Sequence, residues 1–350
     1  MFNPFSSRSV LGVDIGTASI KIVEIVKAKP KPYLKNYGIL KIREHLERPN
    51  SAIQTNVLKI VEKETAKLLK KLVKEAGFKT NEAVASIPSF SVFTTLLEMP
   101  KMPETDLKKT MPFQISQHIP LPATEVAIEW IKVGEKEDDN GQIKEQILLI
   151  SIPNEIIDKY QNIFKMAGLK LKFLEMESLS LVRSLVIGNL PAIIVDLGAC
   201  STNIATVDNG YLKANIFTDF AGVSLTSAIA NGLNISVWRA EELKKQKGLT
   251  AMGGEYELST LPQPLLDAII GEVIRAKNNF ENAYGKKIEK VILAGGGAKM
   301  LGIEEYFEKQ VGVAMEMGNS LFGLNYPSDF ELLARDLGPE FAVAIGLALK

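Results

Sequence analysis

Hydrophobic and polar positions alternate in two blocks near the start of the chain. Residues 10–26 run with a period of two, and residues 35–42 continue in the same style. That period, broken by a glycine turn at Gly16, predicts a hairpin leading into a sheet. Over residues 54–76 the period lengthens to that of a helix. Val57, Ile60, Val61, Leu68, Leu72 and Ala76 share one face, with lysines and glutamates on the other. Gly77 is the predicted stop.

A second character follows. Residues 83–87 and 91–99 predict two strands around Pro88. A helix after Pro103 carries Glu104 and Asp106 in its first turn, where negative charge suits the helix N-terminus. Strands are predicted at 126–133 and 146–152, joined by a polar loop with the hairpin signal Asn140-Gly141. A helix over 154–167 closes this unit, so residues 82–170 read as a small α+β module. After Pro191 a new strand begins, and Asp208-Asn209-Gly210 predicts a hairpin turn. Helices follow over 222–250 (with a break near Gly232), 265–283, 301–311 and 341–350, with a strand at 290–294. No solenoid-length repeat is present. The chain instead repeats one pattern twice: strand, Asp-x-Gly turn, hydroxyls.

Composition narrows the partners. At 350 residues, two domains are expected. The 41 basic and 41 acidic residues cancel, which removes the electrostatic case for nucleic acid as the main partner. One cysteine, Cys200, excludes an intrachain disulfide and fits a reducing compartment. Two distant histidines, His45 and His118, argue against a histidine metal site. The start of the chain lacks the pattern of a secretory leader. The apolar stretch 179–195 is interrupted by Arg183, Asn189 and Pro191, and 341–349 is too short to span a bilayer. A cytoplasmic protein without a membrane span is expected, touching a membrane only through a partner.

Three segments carry candidate chemistry. In the first, Asp14 ends a buried strand, where a carboxylate can hold Mg²⁺ through water. Gly16 lets backbone amides approach a phosphate. Thr17 and Ser19 offer hydroxyls, and Lys21 on the return strand can reach a terminal phosphate. A tight hairpin with a surface lysine is the alternative. The second segment repeats this with Asp196, Gly198, Ser201 and Thr202; Cys200 in this turn reads as a space-filler. The third is a strand followed by Gly295-Gly296-Gly297, whose bare backbone can receive an adenine or an α-phosphate. A structural turn is the more common explanation of a lone triple glycine. Between the last two, Glu241 and Lys244 share a helical face. They are candidates for ribose and adenine contacts, or an ordinary ion pair.

Taken in order, these four features resemble the actin-like ATPase superfamily, the group of actin, DnaK-type chaperones, sugar kinases, MreB and FtsA. The resemblance implies an α/β, two-lobed actin-like (ribonuclease H-like) ATPase fold with an inserted small α+β module in the first lobe. It implies ATP and Mg²⁺ as cofactors, with Asp14 and Asp196 as the metal-side carboxylates. The two Asp-x-Gly turns become phosphate loops, and the triple glycine becomes the adenosine motif. Such proteins place an acidic or amide side chain just before the helix linking the halves, to orient the attacking water. Within Glu175-Met176-Glu177-Ser178-Leu179-Ser180-Leu181, Glu177 fits that place best. The implied division is 1–81 (first lobe, N-terminal part), 82–170 (module) and 171–190 (linking helix). The second lobe takes 191–326, its nucleotide-binding helical part at 222–288, and the first lobe's C-terminal helix takes 327–350.

The module position is similar to that in FtsA and in the PilM family of type IV pilus assembly proteins. Local stretches resemble the latter: 11–17, Ser86-Ile87-Pro88, Met99-Pro100-Lys101-Met102-Pro103, 117–122, Ala167-Gly168-Leu169 and 339–349. The chain departs from such relatives at Ala199 and Cys200, where glycines are common, and at the neutral Gln114. The first departure places fast hydrolysis in doubt. The resemblance implies a cytoplasmic ATP-binding component of pilus assembly, peripheral to the inner membrane. It would bind the N-terminal cytoplasmic peptide of the inner-membrane protein PilN, in a groove between the module and the first lobe, and link it to other alignment and motor components. Phe90, Phe93 and Ile119 are groove candidates. An FtsA-like cell-division or filament-forming homologue is the alternative, for which a terminal membrane-targeting helix is expected and not seen. A sugar-kinase reading lacks an Asp general base. The resemblance leaves homo-oligomerisation open.

Overall fold

The structure is a computed structural model describing residues 9–42, 62–137, 140–250 and 260–350. The N-terminal alternation forms β1 (Ser9–Ile15), β2 (Ser19–Val26) and β3 (Tyr33–Lys41), an antiparallel meander. Helix α1 (Glu62–Glu75) is the second part of the predicted helix; Val57, Ile60 and Val61, like His45, lie outside the described residues. Its Leu69 and Leu72 pack on the first sheet. Strand β4 (Glu82–Ile87) follows, then β5 (Phe93–Pro100), α2 (Glu104–His118), β6 (Val126–Glu137), β7 (Ile143–Pro153), α3 (Asn154–Ala167), β8 (Lys170–Met176) and α4 (Glu177–Leu185).

The first sheet runs β3-β2-β1-β4-β8, with β1, β4 and β8 parallel. The separate three-stranded sheet, β5-β7-β6, is narrower than the range 82–170. Strands β4 and β8, at the two ends of that range, pair with each other in the first sheet. Helix α3 likewise packs on α1 through Tyr160, Ile163 and Phe164 in the first-sheet core. The range 171–190 also differs from a single helix. Its first residues complete β8, because Lys170-Leu171-Lys172-Phe173-Leu174 alternates as a strand, and only Glu177–Leu185 is helical.

The second half repeats the first. Strands β9 (Ala192–Leu197), β10 (Thr202–Asp208) and β11 (Tyr211–Thr218) form an antiparallel meander. Helices α5 (Gly222–Leu233), α6 (Val237–Lys247) and α7 (Gln263–Tyr284) precede β12 (Lys290–Ala294), α8 (Ile303–Val311) and β13 (Ala314–Met317). The order β11-β10-β9-β12-β13, with β9, β12 and β13 parallel, matches the first sheet strand for strand. The chain ends with α9 (Glu331–Glu340) and α10 (Ala342–Ala348). The predicted terminal helix is α10; α9, which carries Gly338 and Pro339 in its last turn, was not anticipated.

Helix α10 returns to the first half and packs against β1 and α4. Gly346 lies so close to the Ser180 carbonyl that no Cβ fits between them. One apolar core then runs from Val84 and Met176 through Leu181 and Val182 to Ile194, Ala205 and Ile292. This continuous core joins the two sheets through α4 and α10, which lie between them.

Candidate functional site

Each sheet presents one tight turn to the cleft, and the two turns have the same geometry. In the first, Asp14 pairs with Lys21 across β1 and β2, and the Gly16 N–H donates to the Ser19 carbonyl at 3.0 Å. In the second, Asp196 pairs with Asn203 across β9 and β10, and the Gly198 N–H donates to the Ser201 carbonyl at 3.1 Å. The turns meet: the Thr17 hydroxyl lies within hydrogen-bond reach of the Cys200 thiol, which burial pushes up. Thr17 is exposed to the cleft, while Ser19 is buried. Thr202 is fully buried and its hydroxyl donates to the Phe220 carbonyl at 2.7 Å. Its place is in the turn's support, and Ser201 holds the more open position.

The cleft floor is rich in carboxylates. Lys21 Nζ stands 3.1 Å from Asp14 Oδ2, and the Ser86 hydroxyl donates to Asp14 Oδ1 at 3.4 Å. Burial works against the Lys21 ammonium, but Asp14, then Asp196 and Glu340, hold its pKa above the ordinary lysine value. Asp196 is pushed up to about 6 by burial, with Asp14 adding to the rise and Lys21 opposing it. Glu177, first residue of α4, is pushed up to about 8 by burial and by the Asp14 and Asp196 charges. Its carboxylate accepts the Ser89 backbone N–H. Asp14, Lys21, Asp196 and Glu177 therefore act on one another as a single cluster. Three carboxylates face one ammonium, and a divalent cation would relieve their repulsion. Among the described residues no group of three acidic, His or Cys side chains is placed to hold a metal directly. The cluster thus fits Mg²⁺ held through water and phosphate oxygens rather than a cage of protein ligands.

The predicted Glu241–Lys244 pair is built into the second turn. Lys244 Nζ lies 2.7 Å from Glu241 Oε2, 2.7 Å from the Thr226 hydroxyl and 2.8 Å from the Gly222 carbonyl. Thr226 donates to Glu241 at 2.6 Å, and Lys245 adds a second ion pair at 2.8 Å. Burial opposes ionisation of Glu241, yet Lys244 and its other partners hold it down at about 2. Burial leaves Lys244 lowered despite Glu241. The helix held by this pair starts on the phosphate-type turn: the Gly222 and Val223 N–H groups donate to Gly198 and Ala199 carbonyls at 3.1 and 2.8 Å. Through α5 the pair therefore positions the turn.

The triple glycine follows β12, which places Ala294 beside Asp196. Gly295 adopts φ +80°, and a Cβ there would collide with the Asp196 carboxylate and the Leu197 carbonyl. Its N–H donates to the Pro339 carbonyl at 3.0 Å, and Lys299 pairs with Glu340 at 3.1 Å. A Cβ on Gly296 would meet nothing within 4 Å, so its face is open. Of the predicted residues, Asp14, Lys21, Asp196 and Glu177 act on one another and Gly295 sits against Asp196, while Thr202 is turned into the support of its own turn and Glu241 and Lys244 are tied to α5.

Other participants were not anticipated. Ser86 hydrogen-bonds Asp14, and the Glu340 charge acts on Lys21. A buried polar chain also crosses between the halves beside Glu177. Ser178 contacts the Ser89 hydroxyl at 3.1 Å, accepts from Asn203 Nδ2 at 2.8 Å and donates to Asn215. Serines and asparagines carry no sequence signal that separates such a chain from loop residues. Of the groove candidates, Ile119 is core in the three-stranded module. Phe90 packs edge-on against Phe217 with centroids 6.2 Å apart, and Phe93 is exposed. A cavity of about 360 Å³ lies instead among β6, β7, β8, α4 and the β10–β11 turn.

The paired sheets and paired turns define the class: this is a two-lobed actin-like ATPase fold carrying an inserted α+β module. The family model for type IV pilus assembly protein PilM matches residues 12–350, and the chain belongs to that family. The structure is similar to that of a PilM-PilN type IV pilus biogenesis complex, with TM-score 0.81, 22% identity and 98% of each chain covered. It is also similar to the ethanolamine utilization protein EutJ from Carboxydothermus hydrogenoformans (TM-score 0.59, 17% identity, 100% and 92% covered). A third likeness is to MreB 5 of Spiroplasma citri bound to AMPPNP (TM-score 0.55, 14% identity, 97% and 95% covered). The family match favours pilus assembly over the cell-division alternative. No helix among the described residues is long and apolar enough to cross a membrane.

Proposed function

We propose that the chain is an ATP-binding scaffold of the type IV pilus machinery. It holds Mg²⁺–ATP between its lobes and the N-terminal peptide of a PilN-like inner-membrane protein beside its inserted module. The observation that carries the nucleotide half is the mirrored pair of Asp-x-Gly turns converging on Lys21. Gly16 and Gly198 close the two turns with their own N–H groups, leaving the other N–H groups of each turn to meet phosphates, and Asp14 and Asp196 supply the charge that a hydrated Mg²⁺ balances. Gly296 offers open backbone for the base, and Glu241 and Lys244 face the ribose side. Glu177 takes the water-orienting position. The likeness to an AMPPNP-bound MreB supports this reading.

The peptide half is supported by the likeness to a PilM-PilN complex and by the cavity beside the module. Its walls are apolar side chains, among them Ile131, Ile150, Leu174, Met176 and Leu179. One polar wall carries Glu175, clamped by Arg183 at 2.6 Å and Lys350 at 2.7 Å. An extended peptide with alternate apolar side chains fits such a slot. The chain's location at the cytoplasmic face of the inner membrane follows from that partner. Isothermal titration of the PilN N-terminal peptide, and of ATP with Mg²⁺, tests both halves. Micromolar or tighter binding supports them, and no binding of either ligand to folded protein rejects them.

A further inference from the structure

Two β-bulges from different lobes meet at one buried ammonium. In β6 the register with β7 slips between Lys132 and Gly134, which leaves Val133 unpaired in the ladder. In β11 the register with β10 slips beside Val207, which leaves Lys213 as the extra residue. Lys213 is consequently buried next to buried Leu212, against the alternation of a regular strand. Its Nζ crosses to the module and donates to the Val133 carbonyl at 2.6 Å and to Gln146 Oε1 at 2.9 Å. Gln146 Nε2 in turn donates to Tyr284 of α7 at 2.9 Å, and the Tyr284 ring lies 5.8 Å from the Lys213 ammonium. Gly134, at φ +141°, has no room for a Cβ beside Lys213 Nζ. Both residues that meet at the ammonium, Val133 and Lys213, owe their position to a departure from regular strand geometry.

The strands that carry the joint link the two proposed sites. Hairpin β10–β11 starts at the Gly198–Ser201 turn of the nucleotide cleft. Its far turn, Gly210-Tyr211-Leu212, lines the cavity assigned to the peptide. The opposite wall of that cavity is β6 and β7 of the module. Lys213 therefore fastens one cavity wall to the strand pair that leaves the phosphate turn. Bulges of this kind recur where a strand re-aims a side chain beside a functional site.

Resting on the functional reading above, we propose that Lys213 makes the module travel with the second lobe. Nucleotide occupancy then sets the width of the peptide cavity, and the two ligands bind with reciprocal coupling. The alternative is a module that merely rests on the second lobe, so that each site fills independently.

The test is a linkage cycle on the full chain. The affinity of the PilN N-terminal peptide is measured with and without saturating Mg²⁺–ATP, in wild type and in Lys213→Met. The wild-type affinity should shift by about fivefold or more, the usual lower range for coupled sites. In Lys213→Met each ligand alone should bind within about twofold of wild type, while the coupling factor falls to near one. A wild-type factor of one overturns the proposal, as does a factor that survives the substitution. Failure of either ligand to bind wild type overturns the functional reading itself, which is a different outcome. Tyr284→Phe, which removes only the hydroxyl that orients Gln146, gives the same readout if Lys213→Met does not fold.

Discussion

Asp14 and Lys21 stand directly opposite each other on β1 and β2, joined by a 3.1 Å ion pair, whereas the matching positions of the second turn are Asp196 and Asn203. The duplication is thus complete in backbone and broken in charge. A single ammonium serves two turns, and the second carboxylate must find its counter-charge elsewhere.

That asymmetry separates two substitutions. Asp14→Ala leaves Lys21 buried without its partner, and removal of one member of a buried pair costs about 3 kcal/mol or more. Denaturant unfolding should show this loss. Asp196→Ala removes a carboxylate held uncomfortably by burial and repulsion, so its stability at pH 7 should equal or exceed that of wild type. Both variants should lose Mg²⁺–ATP binding. Unchanged ATP affinity in both removes the site assignment.

The raised carboxylates give an unusual pH profile. Asp196 and Glu177 hold their protons to about 6 and about 8 in the folded protein, above the ordinary range of unfolded carboxyls near 4. Between those limits the folded state binds more protons than the unfolded one, so stability falls as pH rises. The loss begins near pH 4 and is complete above about 8. Glu177→Gln should flatten the upper part of this decline, and Mg²⁺–nucleotide should flatten it in wild type. Thermal unfolding across pH 5–9 measures it; a decline identical in Glu177→Gln contradicts the cause given.

Adjacent glycines should respond oppositely. Gly295→Ala places a methyl against Asp196 and Leu197 at φ +80°, which should cost about 2 kcal/mol or more. Gly296→Ala meets no atom within 4 Å and should leave stability within about 0.5 kcal/mol of wild type. If the base rests on that bare backbone, Gly296→Ala should weaken ATP binding without weakening the fold. Chemical unfolding and nucleotide titration of both variants separate the two effects.

In the proposed peptide cavity, Arg183 holds Glu175 through two hydrogen bonds of 2.6 and 3.1 Å and also caps the Gly346 carbonyl. Arg183→Ala should lower stability by about 3 kcal/mol, because Glu175 then stays buried with Lys350 alone. Arg183→Lys should recover part of the stability and little of the peptide affinity, since an ammonium cannot reproduce the paired contact. Peptide titration at a temperature where both variants are folded is the check.

Much of the cleft was legible because its chemistry is local. Asp14 to Lys21, Asp196 to Thr202 and Gly295 to Gly297 each sit within one turn, and turns announce themselves through glycine and hydroxyl residues. The first meander and the long helices were legible from their periods; of the second meander only the opening strand and the Asp208-Asn209-Gly210 turn were. Strand β8 escaped because its short alternation runs straight into α4, and α9 because Pro339 masks its end. The module's limits also escaped notice, since β4 and β8 read locally like module strands and only pairing reveals their sheet. Lys213, Glu340 and the Ser178–Asn203–Asn215 chain are defined by contacts between distant segments. No spacing rule reaches such contacts.

The central claim is a Mg²⁺-dependent nucleotide site shared by both turns. Its most direct test is calorimetric titration of ATP into the wild-type chain with Mg²⁺, into wild type with the metal chelated, and into Asp196→Ala with Mg²⁺. The account predicts binding in the first case and affinity at least about tenfold weaker in the other two, the loss of one strong charge-assisted contact. Equal affinity in all three would contradict it.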